Sequence, residues 1–255
     1  MNVVVTGGAT IAPIDDVRLL TNVSSGRFAA AITEACLDKE ARVWHIHARS
    51  AELPLVRFAR FDLDSHAPAF ELERLMKLRD RWQNCRDRLE LIALEAGNVG
   101  DYSATLKRVL ESRPIDVVIL PMAVADYEPE AFSGKISSDR ESLVVHCRRT
   151  PKVIRLVREW APSVYLVGFK LLSHVPVEEL IRRAESACLA NSADLTVAND
   201  LESLRAGRHT VHLVRPGRPY ETLGPGPDLA ERLVARIFDW VAEPRQGTSA
   251  VGPNP

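Results

Sequence analysis

The chain holds little of what would mark a secreted, membrane-embedded or nucleic-acid-binding protein. Only 4 of its 255 residues are cysteine. Cys36, Cys85, Cys147 and Cys188 stand far apart with no CxxC pair, so zinc and a disulfide framework are not expected and buried free thiols are. No apolar run approaches the ~20 residues that cross a bilayer, and the N-terminus reads as a strand rather than a leader. The cytoplasm is the expected location. A surplus of charge is missing too: 33 Lys and Arg against 34 Asp and Glu leave a formal net charge of -1. Nucleic acid is therefore not an expected partner, because gripping phosphate backbones needs a basic surplus or stripe. Arg148-Arg149 and Arg182-Arg183 read as solvated faces. Several catalytic signatures are absent as well. There is no GxGxxG, no GxxxxGK[ST], no HExxH and no GxSxG, and the 7 histidines show no metal spacing.

What is present is an alternation of strand-like and helix-like segments, which predicts an α/β fold: a Rossmann-like parallel sheet with helices on both faces. Strands are expected at Asn2–Thr6, Ala41–His47, Leu89–Leu94, Ile115–Leu120, Val164–Phe169 and Leu195–Ala198, the last four as buried strands. Helices are expected at Arg27–Leu37, Tyr102–Ser112, Pro151–Trp160, Val177–Ala190 and Asp228–Val241. Ser24 or Ser25 would cap the first of these, and Pro151 and Pro176 would open the third and fourth. Phe70–Arg88 reads as an inserted surface helix. His209–Val214 and Pro219–Leu223 flank a hairpin turn. With Leu143–Cys147 they predict a small antiparallel extension at the sheet edge. One domain is expected over 1–242, followed by a disordered tail over 243–255, rich in Pro, Gly and Ser.

Two stretches carry the chemistry. VVVTGGATIAPIDDVRLLTNVSSGR begins as an apolar strand that ends in Gly7-Gly8, and a polar turn from Asn22 to Gly26 then opens a helix. Glycines let a backbone approach an anion, and helix N-terminal amides point at it. The second stretch, LPMAVADYEPEAFSGKISS, places Asp126 just after a buried strand, where α/β sheets bind ligands, and Lys135 on a Gly- and Ser-containing loop. Together they suggest an enzyme that handles a nucleoside triphosphate. His45 and His47 fall on one side of their strand and read as satisfied structural groups.

VTGGATIAPIDDVRLLTNVSSGR, MAVADY, GKISS, RRTPKVIRLVREW, LVGFKLL and ADLTVANDL follow one another in an order and spacing that resemble the phosphopantothenate–cysteine ligases, from Asn2 to about Val241. The GFKLL and KISS forms are most similar to the single-function bacterial members, and the start at the ligase boundary implies that a flavin decarboxylase half is absent. The resemblance implies a homodimer with 4′-phosphopantothenate, L-cysteine and CTP or ATP as substrates, Mg²⁺ accompanying the nucleotide. It implies that Asn22 holds the acyl intermediate and that Arg18 serves the second half-reaction. Lys135 would serve activation. Asp126, Phe169 and the Pro151-Lys152-Val153-Ile154 segment would contact the nucleotide, and Gly7 and Gly8 would lie beneath it. Ala123, Ser24, Ser25 and Gly26 would approach the substrate.

The chain departs from this pattern in three places. Lysines that relatives carry on the helix before the AND motif are missing near Ser186 and Asn191, with Arg182 or Arg183 as substitutes one turn earlier. The Tyr127–Lys135 loop is short, and Phe70–Arg88 is extra. Two competing readings are a non-catalytic nucleotide-binding homologue and a Rossmann-type NAD(P) oxidoreductase; the second lacks the third glycine and a YxxxK pair.

Overall fold

Val3, Val4 and Val5 are all fully buried, as a strand must be when helices cover both of its faces. The computed structural model of the chain describes residues 1–139 and 141–243. Among these residues the order is β1 (Asn2–Gly7), β2 (Ile11–Pro13), β3 (Leu19–Thr21), α1 (Arg27–Asp38), β4 (Arg42–His47), α2 (Pro68–Cys85), β5 (Leu89–Ala93), α3 (Val99–Ser112), β6 (Val117–Leu120), β7 (Tyr127–Pro129), β8 (Cys147–Arg149), α4 (Val153–Trp160), β9 (Tyr165–Leu172), α5 (Val177–Ala190), β10 (Leu195–Asp200), α6 (Leu201–Arg205), β11 (Val211–Val214), β12 (Glu221–Leu223) and α7 (Leu229–Ala242).

The main sheet runs β12-β11-β10-β9-β6-β1-β4-β5. β5 to β10 pair in parallel, and only β11 and β12 run antiparallel. Counted in chain order, the parallel strands lie third, second, first, fourth, fifth, sixth. This is the doubly wound order, whose direction reverses between the first and fourth strands, here β1 and β6. Alternate side chains then sort the core. Val3, Val5, Val43, Val117, Ile119 and Val167 face α1 and α7. Val4, Trp44, Ile46, Val118, Leu120 and Leu166 face α3 and α4. α5 covers β10 and β11 through Leu180, Ala184, Ala198 and Val214.

Several expectations need correction. Residues 143–146 form no strand; Cys147–Arg149 pairs with Tyr127–Pro129 in a separate ribbon, so the edge extension consists of β11 and β12 alone. β5 is an edge strand and only partly buried. Gly26, not Ser24 or Ser25, caps α1, at φ 76. Pro176 caps α5 at its start, as expected, whereas Pro151 lies two residues before α4. Of the thiols, Cys147 is exposed. The surface helix expected over Phe70–Arg88 is α2, exposed along most of its length, and it has a topological role. β4 and β5 are adjacent and parallel, so the chain must cross over between their ends, and α2 is that crossover. It packs lightly, through Leu78, Trp82 and Cys85. The tail expected over 243–255 lies, Glu243 apart, outside the described residues.

Candidate functional site

The reversal point of the sheet is where the glycine turn sits. Beyond the ends of β1 and β6 the two segments stay joined: Ala123 N–H donates to the Gly8 carbonyl at 2.9 Å, and Thr10 N–H donates to the Ala123 carbonyl at 3.1 Å. Gly8 has φ +88, and a Cβ built there would lie 2.8 Å from Ala48 Cβ and 2.9 Å from Ala51 Cβ. A Cβ on Gly26 would lie 3.0 Å from the Gly8 nitrogen. Two bare backbones thus meet at one point. Gly8→Ala is expected to lose about 2–4 kcal/mol, from left-handed strain plus overpacking. Urea unfolding checks this; a loss under about 1 kcal/mol would show that the turn has room.

His45 lies directly behind this turn. It is fully buried, its Nδ1 sits 2.8 Å from the Thr33 hydroxyl, and its Nε2 has no partner among the described residues. The expectation of a satisfied histidine therefore holds for one nitrogen only. The His47 ring stacks beside it at 5.9 Å. Burial, and then the neighbouring His47, push the His45 pKa down to about 3. The unfolded chain therefore takes up a proton near pH 6.5 that the native state refuses, and stability falls as the pH drops from about 6.5 towards 3. At pH 5 this one group removes about 2 kcal/mol. A His45→Gln variant should flatten that slope in urea midpoints taken between pH 7 and 5; an unchanged slope would assign the acid sensitivity elsewhere.

Between β1 and α1 the chain does not make a tight turn. It extends as the β2–β3 hairpin, which separates Gly8 from the helix start in sequence but not in space. At the hairpin base the Thr21 hydroxyl donates to the Thr10 carbonyl at 2.9 Å, which places the exposed Asn22 at the same edge of the sheet. Ser24 is half-buried, Ser25 is exposed, and the Ser25 carbonyl accepts from Glu52 N–H at 2.8 Å. Among the described residues, the side chain that accepts from a leading α1 amide is Ser25, whose Oγ takes Arg27 N–H at 3.3 Å. The other leading amides of α1 are therefore available to an anion.

At the hairpin tip the structure brings Arg18 and the Lys135 loop together. Arg18 Nη1 donates to Asp15 and to the Ile136 carbonyl at 3.2 Å. Ile136 N–H donates to Asp15 Oδ2 at 3.1 Å, and Gly134 N–H to Asp16 Oδ2 at 3.1 Å. The Lys135 side chain is exposed. Sequence reasoning named Arg18 and Lys135 but not Asp15, since acids in a turn ordinarily read as solvated. Asp15 is buried. Loss of water opposes its ionisation, but amides of Val17, Ile136 and Arg18, and the Arg18 charge, outweigh that and hold its pKa below the usual carboxylate range.

Asp126 and the Pro151–Ile154 segment also converge. Asp126 accepts from Lys152 Nζ. Its carbonyl accepts from Thr150 N–H at 3.0 Å, and the Thr150 hydroxyl donates to the Ala125 carbonyl at 2.6 Å. Ala125 N–H in turn donates to the Thr10 hydroxyl at 2.9 Å, tying this cluster to the glycine turn. Thr150, buried in the midst of it, escaped the sequence reading. Val153 and Ile154 pack on the α3–α4 face. Phe169 does not join them. It sits on the α1–α7 face, edge-on to Phe28 at 6.3 Å, and Phe28 meets His209 at 4.4 Å.

The substitutes for the missing lysines are occupied. Arg182 and Arg183 both bind Glu179, whose pKa their hydrogen bonds lower to about 2. α5 runs back from the strand C-termini, so Ser186 and Asn191 lie towards the N-terminal ends of the strands, where Asn191 accepts from Arg155 at 3.3 Å. No helix among the described residues is long and apolar enough to cross a membrane.

The chain resembles known proteins over most of its length. The family model of the DNA/pantothenate metabolism flavoprotein C-terminal domain matches residues 1–71 and 92–240. The unmatched residues between them cover most of α2 and the start of β5. The chain is 33% identical over 234 residues to the Coenzyme A biosynthesis bifunctional protein CoaBC of Thermococcus kodakarensis, covering 91% of this chain and 49% of that protein. It is 28% identical over 229 residues to the human phosphopantothenate–cysteine ligase, covering 79% of this chain and 72% of that protein. The crystal structure of the DNA/pantothenate metabolism flavoprotein from Streptococcus pneumoniae superposes with a TM-score of 0.73 at 28% identity, covering 94% of this chain and 99% of that one. The chain thus spans about half the length of the archaeal bifunctional relatives and most of the human ligase. By the extent of that match, and with a doubly wound sheet whose reversal point carries the glycine turn, the chain belongs to the family of the DNA/pantothenate metabolism flavoprotein C-terminal domain.

Proposed function

We propose that the chain is a phosphopantothenate–cysteine ligase of coenzyme A synthesis. Relatives that bear that name support it, and the observation that carries it is the convergence at one sheet edge. Supporting it are an exposed amide at the hairpin base (Asn22), an acid–lysine pair (Asp126 with Lys152) tied to that base through Thr10, and Arg18 at the hairpin tip joined to the separate Lys135 loop. In this reading the carboxylate oxygen of 4′-phosphopantothenate attacks the α-phosphorus of CTP or ATP and pyrophosphate leaves. The cysteine amine then attacks the acyl carbon, the nucleoside monophosphate leaves, and the amine sheds a proton. A carboxylate is a poor acyl donor, so the protein's task is to align reactants and steady negative charge.

Gly8, Gly26, Ala123 and the open α1 N-terminus form a backbone cradle suited to a phosphate or to the acyl group. Lys135 supplies charge while pyrophosphate forms; Asn22 and Arg18 act on the acyl-nucleotide. Asp126, Lys152, Val153 and Ile154 meet the nucleotide from one face and Phe169 from the other. In this reading Mg²⁺ arrives on the triphosphate. The reading includes a cytosolic homodimer. The test is pyrophosphate release from CTP and from ATP with 4′-phosphopantothenate, with and without cysteine. Release dependent on 4′-phosphopantothenate is the expected result; none with either nucleotide would sink the reading in favour of a non-catalytic homologue.

A further inference from the structure

Asp15 is the most completely engaged buried carboxylate near the site. Its side chain is fully shielded from solvent. Oδ1 accepts from Val17 N–H at 2.9 Å and Arg18 N–H at 2.7 Å; Oδ2 accepts from Arg18 Nη1 at 2.5 Å and Ile136 N–H at 3.1 Å. One group thereby folds the hairpin tip, orients the Arg18 guanidinium and grips a loop more than a hundred residues away in sequence. The grip on that loop is two-sided. Gly134 N–H donates to Asp16, Asp16 N–H donates to the Gly134 carbonyl at 3.1 Å, and Phe132 N–H donates to the Ile14 carbonyl at 2.9 Å. The peptide units on either side of Lys135 are therefore fixed, while its own side chain is exposed. Holding the backbone of a loop and leaving one side chain free is how a flexible lysine gains a defined origin.

We propose that Asp15 is a positioning residue: its buried carboxylate clasps Arg18 and the backbone of the Lys135 loop into one unit, so that both cations approach the reacting groups in fixed relation. The inference rests on the ligase reading. Asp15→Asn tests it, because the amide NH₂ would face Ile136 N–H or the Arg18 guanidinium, donor against donor. Hydrogen exchange of the full chain should show the Ile136 and Gly134 amides exchanging at least about tenfold faster, and trypsin should cut more readily after Lys135. Pyrophosphate release should fall about tenfold or more in kcat, with the nucleotide KM within about threefold, because alignment rather than binding is lost. Should this variant not fold, Asp16→Asn loosens the loop from the exposed side of the clasp, and exchange at Gly134 should still rise with a smaller loss of kcat. Unchanged exchange in both variants would overturn the clasp itself. Faster exchange with normal pyrophosphate release would overturn its role in activation while leaving the ligase reading intact. If the unsubstituted chain releases no pyrophosphate, the ligase reading fails and this role with it, whatever the exchange shows.

Discussion

Lys135→Ala is expected to slow pyrophosphate release by about two to three powers of ten, with or without cysteine, while Asn22→Ala releases pyrophosphate and then stalls. The difference follows from what each side chain can offer. Lysine is a compact point charge on a flexible stem, suited to the negative charge that builds on a leaving pyrophosphate. Lys135 stands exposed between two fixed peptide units, so alanine removes the charge and leaves the loop held. Asn22 offers a neutral amide at the hairpin base beside the glycine turn. Such a group has more to do once a planar acyl group must become tetrahedral. Both positions are exposed, so both variants should fold. Mass spectrometry of quenched reactions should find acyl-nucleotide accumulating in Asn22→Ala and absent in Lys135→Ala. The reverse pattern would exchange the two roles.

The largest expected loss of stability lies away from the site, at Arg57→Ala. Arg57 Nη2 donates to Glu34 Oε2 at 2.9 Å, both side chains are only 10% exposed, and Glu34 Oε1 accepts from Leu55 N–H at 2.7 Å. Burial raises the Glu34 pKa, offset in part by the Leu55 amide and the Arg57 charge. A carboxyl with a raised folded pKa favours the native state most at low pH, and that contribution is lost as the pH rises through the folded value. Without Arg57 an ionised, buried carboxylate loses its hydrogen-bonded cation and keeps only the weaker influence of Arg81, and the loss at pH 7 should be about 3–5 kcal/mol. For a chain of this size that is a fall in Tm of roughly 6–20 °C. The deficit should shrink as the pH falls and Glu34 takes up a proton. Adding Glu34→Gln should recover much of it, since glutamine still accepts from Leu55. A double variant no more stable than Arg57→Ala alone would mean that the loss comes from the Arg57 contacts to the Arg27 carbonyl and the Phe58 ring instead.

Much of the framework was legible because two-faced burial leaves an unmistakable run of β-branched residues: β1, β6 and β10 read directly as strands. The hairpin at Arg215–Arg218 was legible from its turn. Other elements were hidden by competing local signals. α3 starts at Val99 rather than Tyr102, because Asn98 caps it by accepting from Asp101 N–H at 2.9 Å, and the cap carries the helix through Gly100. Val144 and Val145 look like strand residues, yet they are exposed and only Cys147–Arg149 pairs. For the candidate site, motifs were enough to name Asn22, Arg18, Asp126 and Lys135. Asp15 and Thr150 were not, because their importance lies in contacts across more than twenty residues of chain, which no local pattern announces.

The central strand and its last cover are separated by nearly the whole chain: Val3 and Val5 share a core cluster with Ile237 and Trp240 of α7. At ribosomal rates of about 5–20 residues per second, roughly 10–50 s pass between synthesis of the two. During that interval an apolar strand waits with one face incompletely covered. For a cell making this protein, the period of greatest exposure to aggregation is therefore set by elongation speed, and slowing translation between these two segments would lengthen it.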